Sequence, residues 1–294
     1  MYRLIALFVL LCGTNLSFAE NQLEQKIKNF LSDKKATVGV SVLIEGKEIA
    51  TVNGQNRYPL LSVYKFPLAL AVLNHLEKNN LPLNIKITVS RADLSPDTYS
   101  PLRDKYPQGG IDLTISELLK YTIALSDNNT CDILFRYIGG PKKVNRFIQK
   151  LKIKNISIKH TEQEMHEKNE YIFQNQATPL AVTQLLDLFL KKELFSDEYY
   201  KFLEETMINT TTGLKKIRAL LPPDVIVGDK TGNSPRTSEG MKIADNDLAF
   251  VRLPNGKQYT IAVLVSNSYE SDETNSQIIA RISKIIYDEL SGKL

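Results

Sequence analysis

Ser62-Val63-Tyr64-Lys65 places a hydroxyl and an amine three residues apart. On a helix that spacing puts both on one face. The lysine can then take the serine's proton, provided burial or a neighbouring charge lowers its own pKa. Alone, the pair reads as readily as a helix cap beside a solvated lysine, and Ser32-Asp33-Lys34-Lys35 carries the same spacing. Ser126-Asp127-Asn128 interrupts an apolar run with three polar residues. Its hydroxyl could relay a proton and its Asn128 amide could hold a substrate amide. The bare tripeptide also suits a polar turn between helices. Lys230-Thr231-Gly232 follows a β-branched stretch, Val225 to Val227. Lysine and threonine there suit a carboxylate, and Gly232 would let a ligand approach the backbone. The other reading is a strand edge guarded by a lysine.

These residues need elements to hold them. Leu23 to Leu31 reads as an amphipathic helix, and Val38 to Ile44 as a strand. Glu45-Gly46-Lys47 turns the chain and Glu48 to Val52 returns. From Leu61 to about Leu203 the pattern is mostly helical, with apolar helical spacing over Leu68 to Leu76. Thr114-x-x-Glu117 is a capping box opening Leu118 to Leu125. Gly139-Gly140 stops the helix of Asp132 to Ile138, and Thr178-Pro179 starts another. Residues 154–177 show no clean period and read as a long ordered loop, which in a compact domain is usually functional. Strands return after Met207: Leu248 to Leu253 and Tyr259 to Val265 flank Pro254-Asn255-Gly256, a hairpin signal, and Ile278 to Leu290 closes as a helix. The expected fold class is α+β. An antiparallel sheet flanked by terminal helices, 20–57 and 208–294, would pack against an all-α lobe, 58–207, with a small-molecule cleft between them.

Composition narrows the function. The chain has 294 residues, 43% hydrophobic and 24% charged, an ordinary globular balance that excludes disorder and collagen-like repeats. Its +4 charge, with no dense basic run, predicts no nucleic-acid partner. Three His and two Cys do not build a His-rich or Cys-rich metal site, which argues against a zinc hydrolase. Arg3, the apolar Leu4 to Leu11 and Ser17-Phe18-Ala19 read as a signal peptide over 1–19, cleaved after Ala19. Lipoprotein processing at Cys12 is the minor alternative. Cleavage leaves Cys131 alone, so no internal disulfide can form. No later stretch has membrane length, so the mature protein is expected to be periplasmic or secreted, without a membrane partner, and a monomer.

Taken together and in this order, the three motifs resemble those of the penicillin-recognising serine acyltransferases, S-x-x-K, S-D-N and K-T-G. Tyr99-Ser100-Pro101, the Thr212-Gly213 to Pro222 approach and Val227 to Gly232 are similar to the class A β-lactamases. So is the aperiodic segment, which resembles their Ω loop, here about 157–178. Class A enzymes usually carry Glu-x-x-Leu-Asn there. This chain has Glu162-x-x-Met165-His166, similar to the branch of cephalosporinases and extended-spectrum enzymes. The resemblance implies a β-lactamase/transpeptidase-like fold and a β-lactam hydrolase with no cofactor. Ser62 would be the nucleophile, Lys65 or Glu162 the acylation base, and Ser126 and Lys230 the proton relay. Glu162 would be the deacylation base. Asn128, Thr231, Gly232, Asn233, Tyr99, His166 and Ser234 would line the substrate site, with backbone N–H groups of Ser62 and Asn233 as the oxyanion hole. His166 would help hold the hydrolytic water or else pack as a buried loop residue. A D-Ala-D-Ala peptidase would share every motif except Glu162. A β-lactam sensor would acylate and stay acylated, and an inactive binding module is the non-enzyme alternative.

The chain also departs from the class A pattern. The Arg–Asp bridge that often pins the Ω loop has no partners here, since no Arg lies between Arg146 and Arg218 and no Asp between Asp132 and Asp187. Hydrogen bonds from Gln174-Asn175-Gln176 are the expected substitute. Pro67 should distort the nucleophile helix locally. Asn246 stands where many relatives have a carboxylate-binding Arg.

Overall fold

The computed structural model describes residues 22–292, so the signal-peptide reading lies outside the described residues. In chain order the elements are α1 (22–31), β1 (Thr37–Ile44), β2 (Lys47–Val52), β3 (Tyr58–Pro59), α2 (Lys65–Lys78), β4 (Lys86–Val89), α3 (Pro101–Lys105), β5 (Ile111–Thr114), α4 (Ile115–Ala124), α5 (Asn128–Ile138), α6 (Pro141–Lys150), β6 (Ile156–Ser157), α7 (Glu162–Glu167), β7 (Gln176–Ala177), α8 (Pro179–Leu190), α9 (Asp197–Ile208), β8 (Ile226–Asn233), β9 (Lys242–Arg252), β10 (Gln258–Ser268) and α10 (Asp272–Ser291). The class is α+β.

The sheet explains its own sequences. Its order is β2-β1-β10-β9-β8, with every neighbour antiparallel. Central strands are covered on both faces, so β10 reads as a nearly continuous apolar run. Val40, Val42, Ile261, Val263 and Val265 face α1 and α10, meeting Leu23, Ile27, Ile278 and Ile282. Leu248, Phe250, Ala262 and Leu264 face the helices and join a core with Phe66, Leu185 and Phe189. The hairpin closes where the turn residues indicate, Arg252 opposite Gln258, with Gly256 at φ +83°.

Helix ends follow the expected chemistry. Thr114 and Glu117 form the reciprocal capping box of α4, Gly139 terminates α5 at φ +88°, and Thr178 caps α8. α2 is buried nearly all round, so its core position and not an amphipathic stripe holds it. Pro67 breaks nothing. It is the third residue of α2, where a backbone N–H has no intrahelical acceptor. The local irregularity lies one turn earlier, in the 3-10 segment Leu61–Tyr64. The 154–177 segment is more structured than its lack of period implied. Short β6 and β7 pair in a small sheet with β3, and α7 starts at a Thr161–Glu164 capping box, a signal present in the sequence.

Candidate active site

Three elements deliver the sequence motifs to one place. Ser62 lies in the 3-10 turn before α2, and Lys65 opens that helix. Ser126 sits between α4 and α5, and Asn128 is the first residue of α5. Lys230, Thr231 and Gly232 lie within β8, whose strand runs past the Val225–Val227 stretch to Asn233. Strand parity separates the three. Lys230 and Gly232 point to the helices, whereas Thr231 points to the 210–213 segment, where its hydroxyl donates to Thr212 Oγ1 at 3.1 Å.

Lys65 is fully buried and central. Its Nζ donates to Ser126 O at 2.8 Å and Asn128 Oδ1 at 2.5 Å, and lies 3.1 Å from Glu162 Oε1. The Ser62 hydroxyl is partly exposed and bonds no described group, so the direct Ser62–Lys65 bond is not formed. Lys230 Nζ donates to Ser126 Oγ at 2.9 Å and to Thr231 O. Burial first, and the Lys65 charge second, push the Lys230 pKa down to about 7. A polar chain therefore runs from Glu162 through Lys65 and the Ser126 residue to Lys230.

The backbone at both serines is held in unusual conformations. Leu61, just before the nucleophile candidate, has φ +48°, and Ser126 has φ +57°. Such strain persists only where the surroundings over-determine it. Around Leu61 they do. Asn246 Nδ2 donates to Pro59 O and Leu60 O, and Leu60 N donates to Asn175 O. A Cβ on Gly232 would meet Leu60 O at 2.4 Å. Gly232 makes room for the chain's own 60–62 backbone. Asn246, which stands where many relatives have an Arg, is fully buried and clamps that backbone. Beside Ser126, buried Asp127 accepts from Ser100 Oγ, Leu102 N and Thr130 N, which fixes the turn.

The 157–178 segment is pinned by two residues. Asn175 is fully buried and its Oδ1 accepts from Lys159 N and His160 N. Its Nδ2 donates to His160 O and Met165 Sδ. The expected 174–176 substitute for an ion pair is thus centred on Asn175, supported by a His160–Gln174 bond. The second pin was missed. Asp132, on α5, accepts from Glu162 N and Gln163 N at 2.8 Å each and so sets the start of α7. Burial and then the Glu162 charge raise its pKa to about 7, outweighing the two N–H donors. Replacing Asn175 with Ala is expected to cost about 3 kcal/mol, because several buried groups lose their partners at once. Urea unfolding measures this, and an unchanged midpoint would show that the segment is held elsewhere.

The remaining candidates divide. Tyr99 is 58% exposed, and Asn233 is also open to solvent. His166 is exposed, which excludes buried loop packing, and shares a cavity of about 250 Å³ with Thr98, Asn128 and Glu162. Asn128 Nδ2 is occupied by Thr98 Oγ1 at 2.7 Å. Ser234 is buried and committed to backbone, donating to Pro235 O and accepting from Ala244 N.

Behind β8 lies a charged cluster the motifs did not indicate. Lys216 pairs with Asp245 at 2.5 Å and donates to Asn246 O. Arg218 pairs with Asp229, and Asp247 accepts from Ile217 N. Asp229 Oδ2 and Asp247 Oδ1 are buried without hydrogen-bond partners. Burial first, and the Asp229 charge second, raise the Asp247 pKa; Lys216, Arg218 and Ile217 N oppose this, and the charges of Asp247 and Lys230 also act on each other. A carboxyl whose pKa is raised on folding stabilises in acid and loses that contribution as pH rises above the ordinary carboxylate range, about 4. The melting temperature should therefore fall from mildly acid pH to about pH 7, above which the lowered Lys230 pKa acts in the opposite sense, and Asp247→Asn should flatten that slope. An identical slope in both proteins would remove Asp247 as its source.

Comparison with known proteins agrees with this geometry. The model of the β-lactamase enzyme family matches residues 22–290. A β-lactamase of Bacteroides uniformis is 44% identical over 271 residues, 92% of each chain. The crystal structure of the extended-spectrum β-lactamase TLA-1 superposes with a TM-score of 0.91 at 49% identity, covering 92% of this chain and 99% of that one. A class A β-lactamase from Bacteroides cellulosilyticus DSM 14838 gives the same score and identity over 93% and 99%. With the family model spanning nearly all the described residues and these relatives covering 92–93% of the chain, the chain belongs to the β-lactamase family, as a class A serine enzyme.

Proposed function

We propose that this enzyme, which hydrolyses β-lactams and so confers resistance, works through the roles that follow. Ser62 Oγ attacks the lactam carbonyl, and its proton leaves to Lys65, or through a water to Glu162. The 3.1 Å Lys65–Glu162 pair lets either group end with that proton. Backbone N–H groups of Ser62 and Asn233 take the developing oxyanion. As the C–N bond breaks, Ser126 gives its proton to the lactam nitrogen and is resupplied from Lys230, 2.9 Å away. Lys230 and Thr231 hold the substrate carboxylate, and Asn128 the side-chain amide. The proton taken from Ser62 makes good the one Lys230 gave up, which leaves Glu162 a carboxylate. Glu162 then takes a proton from water, whose oxygen attacks the acyl carbonyl, and that proton returns to Ser62 Oγ as the ester C–O bond breaks. The observation that carries this reading is the Glu162–Lys65 pair beside Ser126, whose carbonyl meets Lys65 and whose hydroxyl meets Lys230; a peptidase would not need Glu162 there.

Extended-spectrum cephalosporins are the favoured substrates. Supporting this are the likeness to TLA-1 and the open cavity beside Asn128, Glu162 and His166. The enzyme is exported, with cleavage after Ala19, and acts as a periplasmic or secreted monomer built from the two lobes, 20–57 with 208–294 and 58–207. Among the described residues no helix is long and apolar enough to cross a membrane. Purified protein should hydrolyse a chromogenic cephalosporin for many turnovers per enzyme, and a chelator should not slow it. A burst of about one equivalent followed by silence would favour a peptidase or sensor. Loss of activity on chelation would contradict the serine mechanism.

A further inference from the structure

The modest net charge hides an asymmetry. Residues 133–161 contain eight Lys and Arg and no Asp or Glu, in a chain whose total is only +4. Much of that segment is α6, an amphipathic helix. Val144, Phe147 and Ile148 are buried, while Lys142, Lys143, Arg146 and Lys150 are exposed. Lys142 and Lys143 occupy its first turn, where the helix dipole disfavours cations and where no acid is present. Local helix stability therefore does not explain them.

These cations are also uncompensated. Lys143, Arg146 and Lys150 join Lys78 of α2 around a groove of about 250 Å³ whose floor includes Ile138 and Phe147. None of the four makes an ion pair or a side-chain hydrogen bond to a described residue, and no acid lines the groove. Lys152, Lys154 and Lys159 continue the exposed basic surface beyond α6.

We infer that this α2–α6 face docks on an anionic phospholipid surface. The unpaired cations complement the phosphate headgroups of such a surface. No exposed aromatic lines the groove to stack nucleic-acid bases. The groove takes its α2 residues from Ala71 to Asn79, whereas Ser62 precedes the other end of that helix. At about 1.5 Å per residue the two are well over 10 Å apart along the axis. A docked enzyme would keep its active site open. Such docking departs from the expectation of no membrane partner.

The test is co-sedimentation of the purified enzyme with vesicles of equal parts phosphatidylglycerol and phosphatidylcholine, against phosphatidylcholine alone. Roughly fivefold more protein should sediment with the anionic vesicles in dilute salt. The excess should vanish at about 0.5 M salt, where screening is nearly complete. The triple variant Lys143→Glu, Arg146→Glu, Lys150→Glu should lose the excess. A control with the same charge change on exposed residues elsewhere, Lys35→Glu, Lys201→Glu, Lys257→Glu, should keep most of it. Both variants should hydrolyse a chromogenic cephalosporin at close to the parent rate, which shows that they fold. No anionic preference, or equal loss in both variants, overturns the proposal. So does a protein that duplex DNA retards and the vesicles do not.

Discussion

Glu162→Gln is expected to acylate with a cephalosporin and then stall. The substitution keeps the side chain's size and an oxygen that can face Lys65 Nζ, now 3.1 Å from Glu162 Oε1. It removes the group able to take a proton from water. Loss of a general base lowers a rate by about 10² to 10⁴-fold. That loss should fall on deacylation, so one equivalent of product should appear quickly and an adduct should accumulate. α7 should stay in place, because Asp132 holds the backbone N–H of residue 162 whatever its side chain. Steady turnover at the parent rate would sink the role of Glu162, and loss of the burst as well would move it to acylation.

Ser62→Ala should have the larger effect. Removing a covalent nucleophile of this kind costs roughly 10⁶-fold in turnover, leaving only binding and the oxyanion site. No adduct should form at any substrate concentration. The fold should tolerate the change, since the hydroxyl is partly exposed and bonds no described group. Surface-like substitutions of this sort stay within about 0.5 kcal/mol. An active Ser62→Ala protein would mean that another nucleophile, or a directly activated water, opens the ring.

The two variants probe residues that could be picked out from sequence, and the reason is local. Ser62-x-x-Lys65, Ser126-x-Asn128 and Lys230-Thr231-Gly232 each lie within four residues at the start or end of an element. Their spacing therefore survives without knowledge of the fold. Caps and turns were legible for the same reason, as at Thr114, Gly139 and Gly256. What sequence reading missed acts over distance. Asp132 reaches α7 across 30 residues, and Lys216 reaches Asp245 only because β9 pairs with β8 in one register. The Asn246 clamp was not legible because its role depends on which face of β9 it occupies. Pairing with Gly232 turns it toward Leu60. A strand residue one position away would point to the opposite face. The 154–177 segment shows the limit of periodicity: α7 is six residues long, too short to show a repeat, yet its capping box was there to read.

The most direct test of the account is to locate the trapped acyl group. Glu162→Gln protein would be mixed with a cephalosporin, quenched, digested with trypsin and mapped by mass spectrometry. Cleavage after Arg57 and Lys65 releases Tyr58–Lys65, in which Ser62 is the only serine. The account expects the added mass on that peptide, at Ser62, at close to one equivalent. An adduct on another peptide, or continued turnover with no adduct, would contradict an acyl-enzyme built on Ser62 and released by Glu162.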